Sequence, residues 1–298
     1  MAIYSIKDLE KLSGIKAHTI RIWEQRYGII EPSRTSSNIR YYEDEDLKLL
    51  LNIALLNKNG IKISRIAQMS AEEIAEKVAA VSEVNFEYGT QLDALTISMI
   101  EMDEYKFDRI ISTNIQQLGF ERTMLEVIHP FLDKLGVLWL TGSINPVQEN
   151  FIGYLIRQKI IVAIDQLPMP ASSYTQKCLL YLPEGETQEL SLLFLHYMLK
   201  ARKQHVVYIG QNISLSDLKD AYQIHRPQFI FSIITESFSR EPVQHYLQKV
   251  ANAFPAAQLL FSGYQVVAQR VKTEGNVTIL RSLDQTIAYL ESFISQTV

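Results

Sequence analysis

Seven residues able to grip an anion lie within the first forty positions. Lys7, Lys11, Lys16, Arg21, Arg26, Arg34 and Arg40 stand there against four acids, Asp8, Glu10, Glu24 and Glu31. The local net charge is +3, in a chain whose formal net charge is -4. A basic end on a mildly acidic chain suits an anionic partner at that end and excludes a protein that coats nucleic acid along its whole surface. His18, Thr19, Tyr27 and Tyr41 lie among these cations and add hydrogen-bonding groups of the kind that reach base edges or phosphate oxygens. Chemistry of other kinds is poorly represented. The single Cys178 excludes an internal disulfide and a cysteine zinc site, and in Cys-Leu-Leu-Tyr-Leu it reads as a small core residue. Neither Gly-x-Ser-x-Gly nor Gly-x-Gly-x-x-Gly occurs, and Glu184 and Glu186 sit in a polar run that reads as a solvated loop rather than an acid/base pair. We therefore expect no enzyme.

The elements that would carry the basic residues are legible. Ser5 can cap a helix with Ile6, Leu9 and Leu12 on one face and Asp8 placed for a capping box, and Ser13-Gly14 ends it. Lys16-Ala17-His18-Thr19 opens a second helix that turns Ile20, Trp23 and Tyr27 inward and shows His18, Arg21, Gln25 and Arg26 on the opposite face, until Gly28 stops it. Trp23 reads as core; Tyr27 can pack or reach phosphate. Residues 29–42, with Pro32, Ser33, Ser36, Ser37 and Asn38, suit a hairpin. Two short helices, a glycine turn and a basic hairpin make a winged helix-turn-helix. His18, Thr19 and Arg21 can then meet bases or phosphates, while Arg34, Arg40 and Tyr41 in the wing grip the DNA backbone. Each arginine alone would read as a solvated surface residue; their clustering points to DNA.

Residues 43–298 divide by pattern. Glu43-Asp-Glu-Asp46 starts a helix that runs to Asn59-Gly60, its acids at the positive end of the dipole. A shorter helix over Ile61–Gln68 and one over 71–80 follow. Residues 85–166 have helical periodicity with four amphipathic stretches, 85–100, 104–118, 121–138 and 146–165, a four-helix bundle. Leu167-Pro-Met-Pro-Ala-Ser-Ser173 reads as a linker. Strand-like runs at 178–182, 205–209, 229–233, 258–261 and 277–280 then alternate with helices at 187–202, 215–226, 240–253, 264–272 and 283–296, the pattern of a doubly wound, parallel, five-stranded α/β sheet. The multidomain reading is thus 1–80 DNA-binding, 81–167 helical bundle and 176–298 α/β. No signal-peptide-like segment or run of about 18 apolar residues is present, so we expect a cytoplasmic protein without a membrane partner.

Residues 4–68 resemble the MerR family of bacterial transcription regulators. The resemblance rests on Thr19-x-Arg21-x-Trp23-Glu24-x-Arg26-Tyr27-Gly28, Pro32-x-Arg34, Arg40-x-Tyr42 and a helix ending at Gly60. It implies a homodimer on a roughly palindromic, double-stranded DNA operator. In many members a further helix joins the dimer; 71–80 is short for that role, which points to assembly through the downstream domains.

Residues 85–298 resemble the cobalamin-binding module of methionine synthase and, more closely, that of light-sensing repressors with a MerR head. In the photosensing relatives a Trp and a Glu with nine residues between them are followed by His above the cofactor; here Trp139 and Glu149 are followed by Asn150. Cobalamin-binding relatives carry Glu-x-His-x-x-Gly after the first strand, and that His ligates cobalt; here the run is Glu186-x-Gln188-x-x-Ser191. Ser232 matches a serine lining the pocket of the nucleotide tail, and Ser262-Gly263 stands where relatives have Gly-Gly. Neither amide supplies an imidazole nitrogen. His196, His205, His225 and His245 read as surface or packing histidines away from the carboxyl ends of the strands. We therefore expect a degenerate module without a cofactor, adenosylcobalamin being the alternative. Trp139, Glu149, Asn150, Gln188, Ser232, Thr235 and Gly263 would line the remaining effector crevice, and the module would serve a small-molecule or protein effector or assemble a homodimer or tetramer. Two other readings are a corrinoid carrier related to methyltransferases, disfavoured by Gln188, and an adaptor with a vestigial head, disfavoured by the intact basic face.

Overall fold

The computed structural model describes residues 4–34, 40–84, 88–140, 144–169, 176–235, 242–272 and 275–295. The chain forms two compact units, Met1–Leu155 and Ile156–Val298.

The first unit begins with α1 (Ile6–Ser13), capped as its sequence predicts. Ser5 Oγ accepts from the Asp8 amide, and the Asp8 carboxylate accepts from Ser5 N–H at 2.8 Å. Gly14 closes the helix in the left-handed conformation at φ 72°. Helix α2 (Ala17–Tyr27) has no capping side chain of its own. Glu10 of α1 takes that place, accepting from Ala17 N–H at 3.1 Å and from Lys16 Nζ at 3.0 Å. These contacts hold the Glu10 carboxyl below its ordinary range and set the angle between the two helices. Strands β1 (Ser33–Arg34) and β2 (Arg40–Tyr41) pair antiparallel as the wing, and Tyr42 makes an isolated bridge back to Tyr4.

Helix α3 (Asp44–Lys58) begins at the acidic run, as expected, and the Asp46 carboxylate accepts from Glu43 N–H at 2.9 Å. The helix expected over Ile61–Gln68 is only the single turn α4 (Ile63–Ile66), since the chain turns again at Ala67–Met69. The helix expected to stop at 80 runs further, as the 14-residue α5 (Ala71–Val84). Helices α6 (Tyr88–Ile100) and α7 (Glu104–Leu118) are tied by a buried amide pair, Asn114 Nδ2 donating to Gln91 Oε1 at 2.9 Å. The third helical stretch of the middle region is α8 (Phe120–Thr123), a π-turn (Met124–Ile128) and α9 (His129–Leu140). Pro130 explains the wider turn: it lacks an N–H for the Glu126 carbonyl, and its ring pushes that carbonyl away. Helix α10 (Pro146–Gln166) is the fourth stretch. Asp93 of α6 joins three elements of this unit, accepting from Lys58 of α3 at 3.0 Å and from Lys134 of α9 at 3.2 Å. Lys134 also donates to Thr96 Oγ1 at 3.0 Å, and its burial pulls the ammonium below its ordinary pKa.

In the second unit β3 (Lys177–Pro183), α11 (Glu189–Ala201), β4 (His205–Ile213), α12 (Leu215–His225), β5 (Phe229–Ile233), α13 (Val243–Ala253), β6 (Gln258–Ser262), α14 (Tyr264–Ala268), β7 (Val277–Ile279) and α15 (Leu283–Ser295) follow in order. All four ladders are parallel, and the strand order is β4-β3-β5-β6-β7. The expected five-stranded parallel sheet is therefore present. Alternation sends Leu179 and Tyr181 into a core with Leu218, Tyr246, Leu247 and Val250 of α12 and α13. Cys178, Leu180 and Leu182 point to the other face, all fully buried. Helix α14 ends at Ala268, short of the expected 272, because the chain turns left-handed at Arg270 (φ 48°).

Candidate functional site

Two groups of residues stand out, one in each unit. In the first unit, α2 buries Ile20 and Trp23 and turns the other side of the helix outward. His18, Arg21 and Arg26 are exposed, and Thr19 and Tyr27 are half-buried. The His18 Nε2 lies 3.3 Å from Thr19 Oγ1, and the Arg26 guanidinium sits 5.6 Å from the centre of the Tyr27 ring. The wing is fastened to this helix by Tyr42, fully buried, whose hydroxyl donates to Glu24. Burial and the Glu24 carboxylate raise the pKa of Tyr42 well above that of free tyrosine, so the hydroxyl stays a donor. Arg34 is exposed on β1, whereas Arg40 and Tyr41 on β2 are half-buried. Arg40 Nε is buried and has no hydrogen-bond partner among the described residues. The helix and the wing thus bring His18, Thr19, Arg21, Arg26, Tyr27, Arg34, Arg40 and Tyr41 into one module, in which Arg21, Arg26 and Arg34 are exposed and Arg40 is half-buried. Sequence reasoning missed the two carboxylates that set its geometry, Glu10 and Glu24, since both act on residues of other elements.

The second group gathers at the carboxyl end of the parallel sheet. The chain order reverses between β3 and β5, and in open α/β sheets that seam is where ligands collect. Gln188 is exposed at the cap of α11 just after β3, and Thr235 is half-buried just after β5. Ser232 lies on β5, 2% exposed, opposite Tyr181. Gly263 opens α14 at φ 104°, ψ 162°. A Cβ there would lie 2.3 Å from the Ile234 carbonyl oxygen, so the glycine is required by the approach of two backbones.

The loop expected to be solvated holds the principal departure from the sequence reading. Glu184 is exposed, but Glu186 is 1% exposed. Its carboxylate spans the seam: Oε2 accepts from Thr235 N–H at 2.6 Å, and Oε1 accepts from Gln188 N–H at 3.1 Å. Beside it, Glu189 accepts from the Tyr208 hydroxyl at 3.1 Å and pairs with Arg157 at 2.9 Å. His196 stacks on Tyr208 with ring centres 5.3 Å apart, and burial holds its pKa down to about 4. It is a packing histidine, as expected. His245 differs from expectation in one respect. It is exposed in the first turn of α13, the end of that helix on the carboxyl side of the sheet. Among the remaining predicted residues, Glu149 and Asn150 are exposed near the start of α10. Trp139 is on α9, and its side chain lies outside the described residues.

Residues 4–73 match the family model described as MerR HTH family regulatory protein, and residues 91–163 match that of a B12 binding domain. The chain is 24% identical over 281 residues to the HTH-type transcriptional repressor CarH of Myxococcus xanthus, covering 90% of this chain and 93% of that protein. It is 28% identical over 229 residues to the HTH-type transcriptional repressor CarA of the same organism, covering 76% of this chain and 74% of CarA. A solved cobalamin-binding protein from Desulfitobacterium hafniense aligns over 70% of this chain and 99% of its own, with 13% identity and a TM-score of 0.35. Among the described residues no helix is long and apolar enough to cross a membrane. With its head matched to one family and its helical middle to the other, the chain is a MerR-type transcriptional regulator that carries a B12-binding domain.

Proposed function

We propose that this regulator acts as a homo-oligomer on a double-stranded DNA operator, and that its B12-binding-type half works without cobalamin, as an assembly module or a sensor of another effector. The observation that carries the second clause is the Glu186 bridge. A corrin held through a lower histidine needs an imidazole at position 188 and an open seam between β3 and β5. Gln188 offers a neutral amide, a poor donor to cobalt. The Glu186 carboxylate already joins the loops on both sides of the seam. The space that Gly263 leaves is taken by the chain's own Ile234 carbonyl. These residues do not fit the group.

The test is to incubate the purified full chain with adenosylcobalamin in the dark and pass it over a size-exclusion column. The expected outcome is protein without corrin absorbance and an unchanged elution volume. Stoichiometric corrin absorbance travelling with the protein, together with a change in assembly state, would show that the cofactor is sensed and would overturn this reading.

For the DNA-binding half, the support is the exposure of His18, Arg21, Arg26 and Arg34 on one fastened module. Arg34→Ala is expected to weaken retention of every DNA fragment about equally and to lower the slope of log affinity against log salt by roughly 1 per protomer. Arg21→Ala is expected to cost selectivity as well as affinity. A salt slope that Arg34→Ala leaves unchanged would assign that residue to solvent rather than to phosphate.

A further inference from the structure

The outward face of α2 contains one residue that is neither charged nor polar. Ile22 is 49% exposed, between the exposed Arg21 and the buried Trp23. At about 100° per residue, Ile22 points roughly 130° away from the mean direction of Ile20, Trp23 and Tyr27. His18 and Arg26, one turn before and one turn after, flank it on the same stripe, and Gln25 lies beside it; all three are exposed. Ile22 therefore lies on the face that the helix turns away from its own core, beside His18 and Gln25, which point most directly outward. Isolated apolar residues on a protein surface are ordinary. This one sits where a helix-turn-helix places the residues that enter the major groove. The apolar group available there is the 5-methyl of thymine, and an aliphatic side chain is the complementary contact.

We propose that Ile22 reads the methyl group of a thymine in each operator half-site, so that His18, Arg21 and Arg26 supply polar and phosphate contacts beside an apolar one. The inference rests on the DNA-binding reading of the head given above. An α2 with its polar residues alone would select by hydrogen bonds; Ile22 adds discrimination of thymine from cytosine and from uracil at one base pair.

The test uses the full chain and a duplex selected from random sequence by repeated binding. Each thymine of one half-site is replaced in turn by uracil, which removes only the methyl group. At one position the wild-type affinity is expected to fall about fourfold, the value of one buried methyl-sized apolar group. Ile22→Ala is expected to bind the thymine and uracil duplexes equally, with the affinity that the wild type has for the uracil duplex. Alanine is a strong helix former at an exposed position, so the helix is expected to persist, as circular dichroism would verify. Ile22→Val is expected to retain part of the discrimination. Equal wild-type affinity for every uracil duplex would overturn the proposal, as would an Ile22→Ala protein that still discriminates. If no duplex is selected at all, the DNA-binding reading fails with it, an outcome distinct from selection without methyl dependence.

Discussion

Gly263→Ala is expected to remove a large share of the stability of the α/β unit. Its backbone, at φ 104° and ψ 162°, lies in a region that is essentially reserved for glycine. The added Cβ would also fall 2.3 Å from the oxygen, 2.6 Å from the carbon and 2.8 Å from the nitrogen of Ile234. All three are main-chain atoms in or bordering the sheet, where Ile234 N–H donates to Ser262 O at 2.8 Å and Ile234 O accepts from Gln265 N–H at 3.1 Å. Neither backbone can withdraw without breaking those bonds. Strain and clash together cost about 4 kcal/mol or more, a large share of the 5–15 kcal/mol that holds a typical domain. Urea unfolding followed by hydrogen exchange of the β5 and β6 amides would measure it. Gly275→Ala is the control. Its φ is also positive, at 67°, but nothing lies within 4 Å of the new atom, so a loss of about 1 kcal/mol is expected. Similar losses at the two positions would mean that the β5 and β6 ends do not approach as closely as described.

Glu186→Ala is expected to cost the same unit about 3 kcal/mol. The carboxylate is the acceptor for two amides, those of Thr235 and Gln188. A buried donor left without an acceptor costs about 1–3 kcal/mol. The amides of residues 188 and 235 should then exchange with solvent faster than their neighbours. Glu186→Gln keeps one acceptor oxygen and turns an NH2 group toward the other amide, so an intermediate loss is expected. Glu184→Ala, in the exposed part of the same loop, should change stability by no more than about 0.5 kcal/mol. If Glu186→Ala were as harmless as Glu184→Ala, the seam between β3 and β5 would be unobstructed, and the case against a bound corrin would lose its main support.

Most of the architecture was legible because its signals are local. The Ser5–Asp8 capping box, the acids at the start of α3, Gly14 and Gly28 each act within a turn of where they stand. The β-runs differ from the helices by periodicity alone, so strands and helices of the α/β unit emerged within a few residues of their bounds. The exceptions are interactions between distant positions. Glu186 reads as solvated because Pro183-Glu-Gly-Glu-Thr-Gln-Glu is polar throughout, and its partner amide is 49 residues away. Glu10 looks like an ordinary surface acid of α1, yet it caps α2. Asn114 and Gln91 are polar residues in amphipathic helices, and nothing local marks them as a buried pair. The basic and aromatic composition of the head announced what kind of surface it is, but not which side of α2 carries Ile22, since an isoleucine in a helix reads as core until its neighbours are placed.

The shared carboxylate of Asp93 has a mechanical consequence. Helix α3 carries Lys58 in its last turn and packs on α1. With 15 residues it is a rod about 22 Å long. A rod pinned at the wing end and displaced by about 1 Å at Asp93 swings through roughly 3°. The DNA head is thus geared to the helices behind it rather than hung on a swivel, and a slight movement of α9 is delivered to the head as torque.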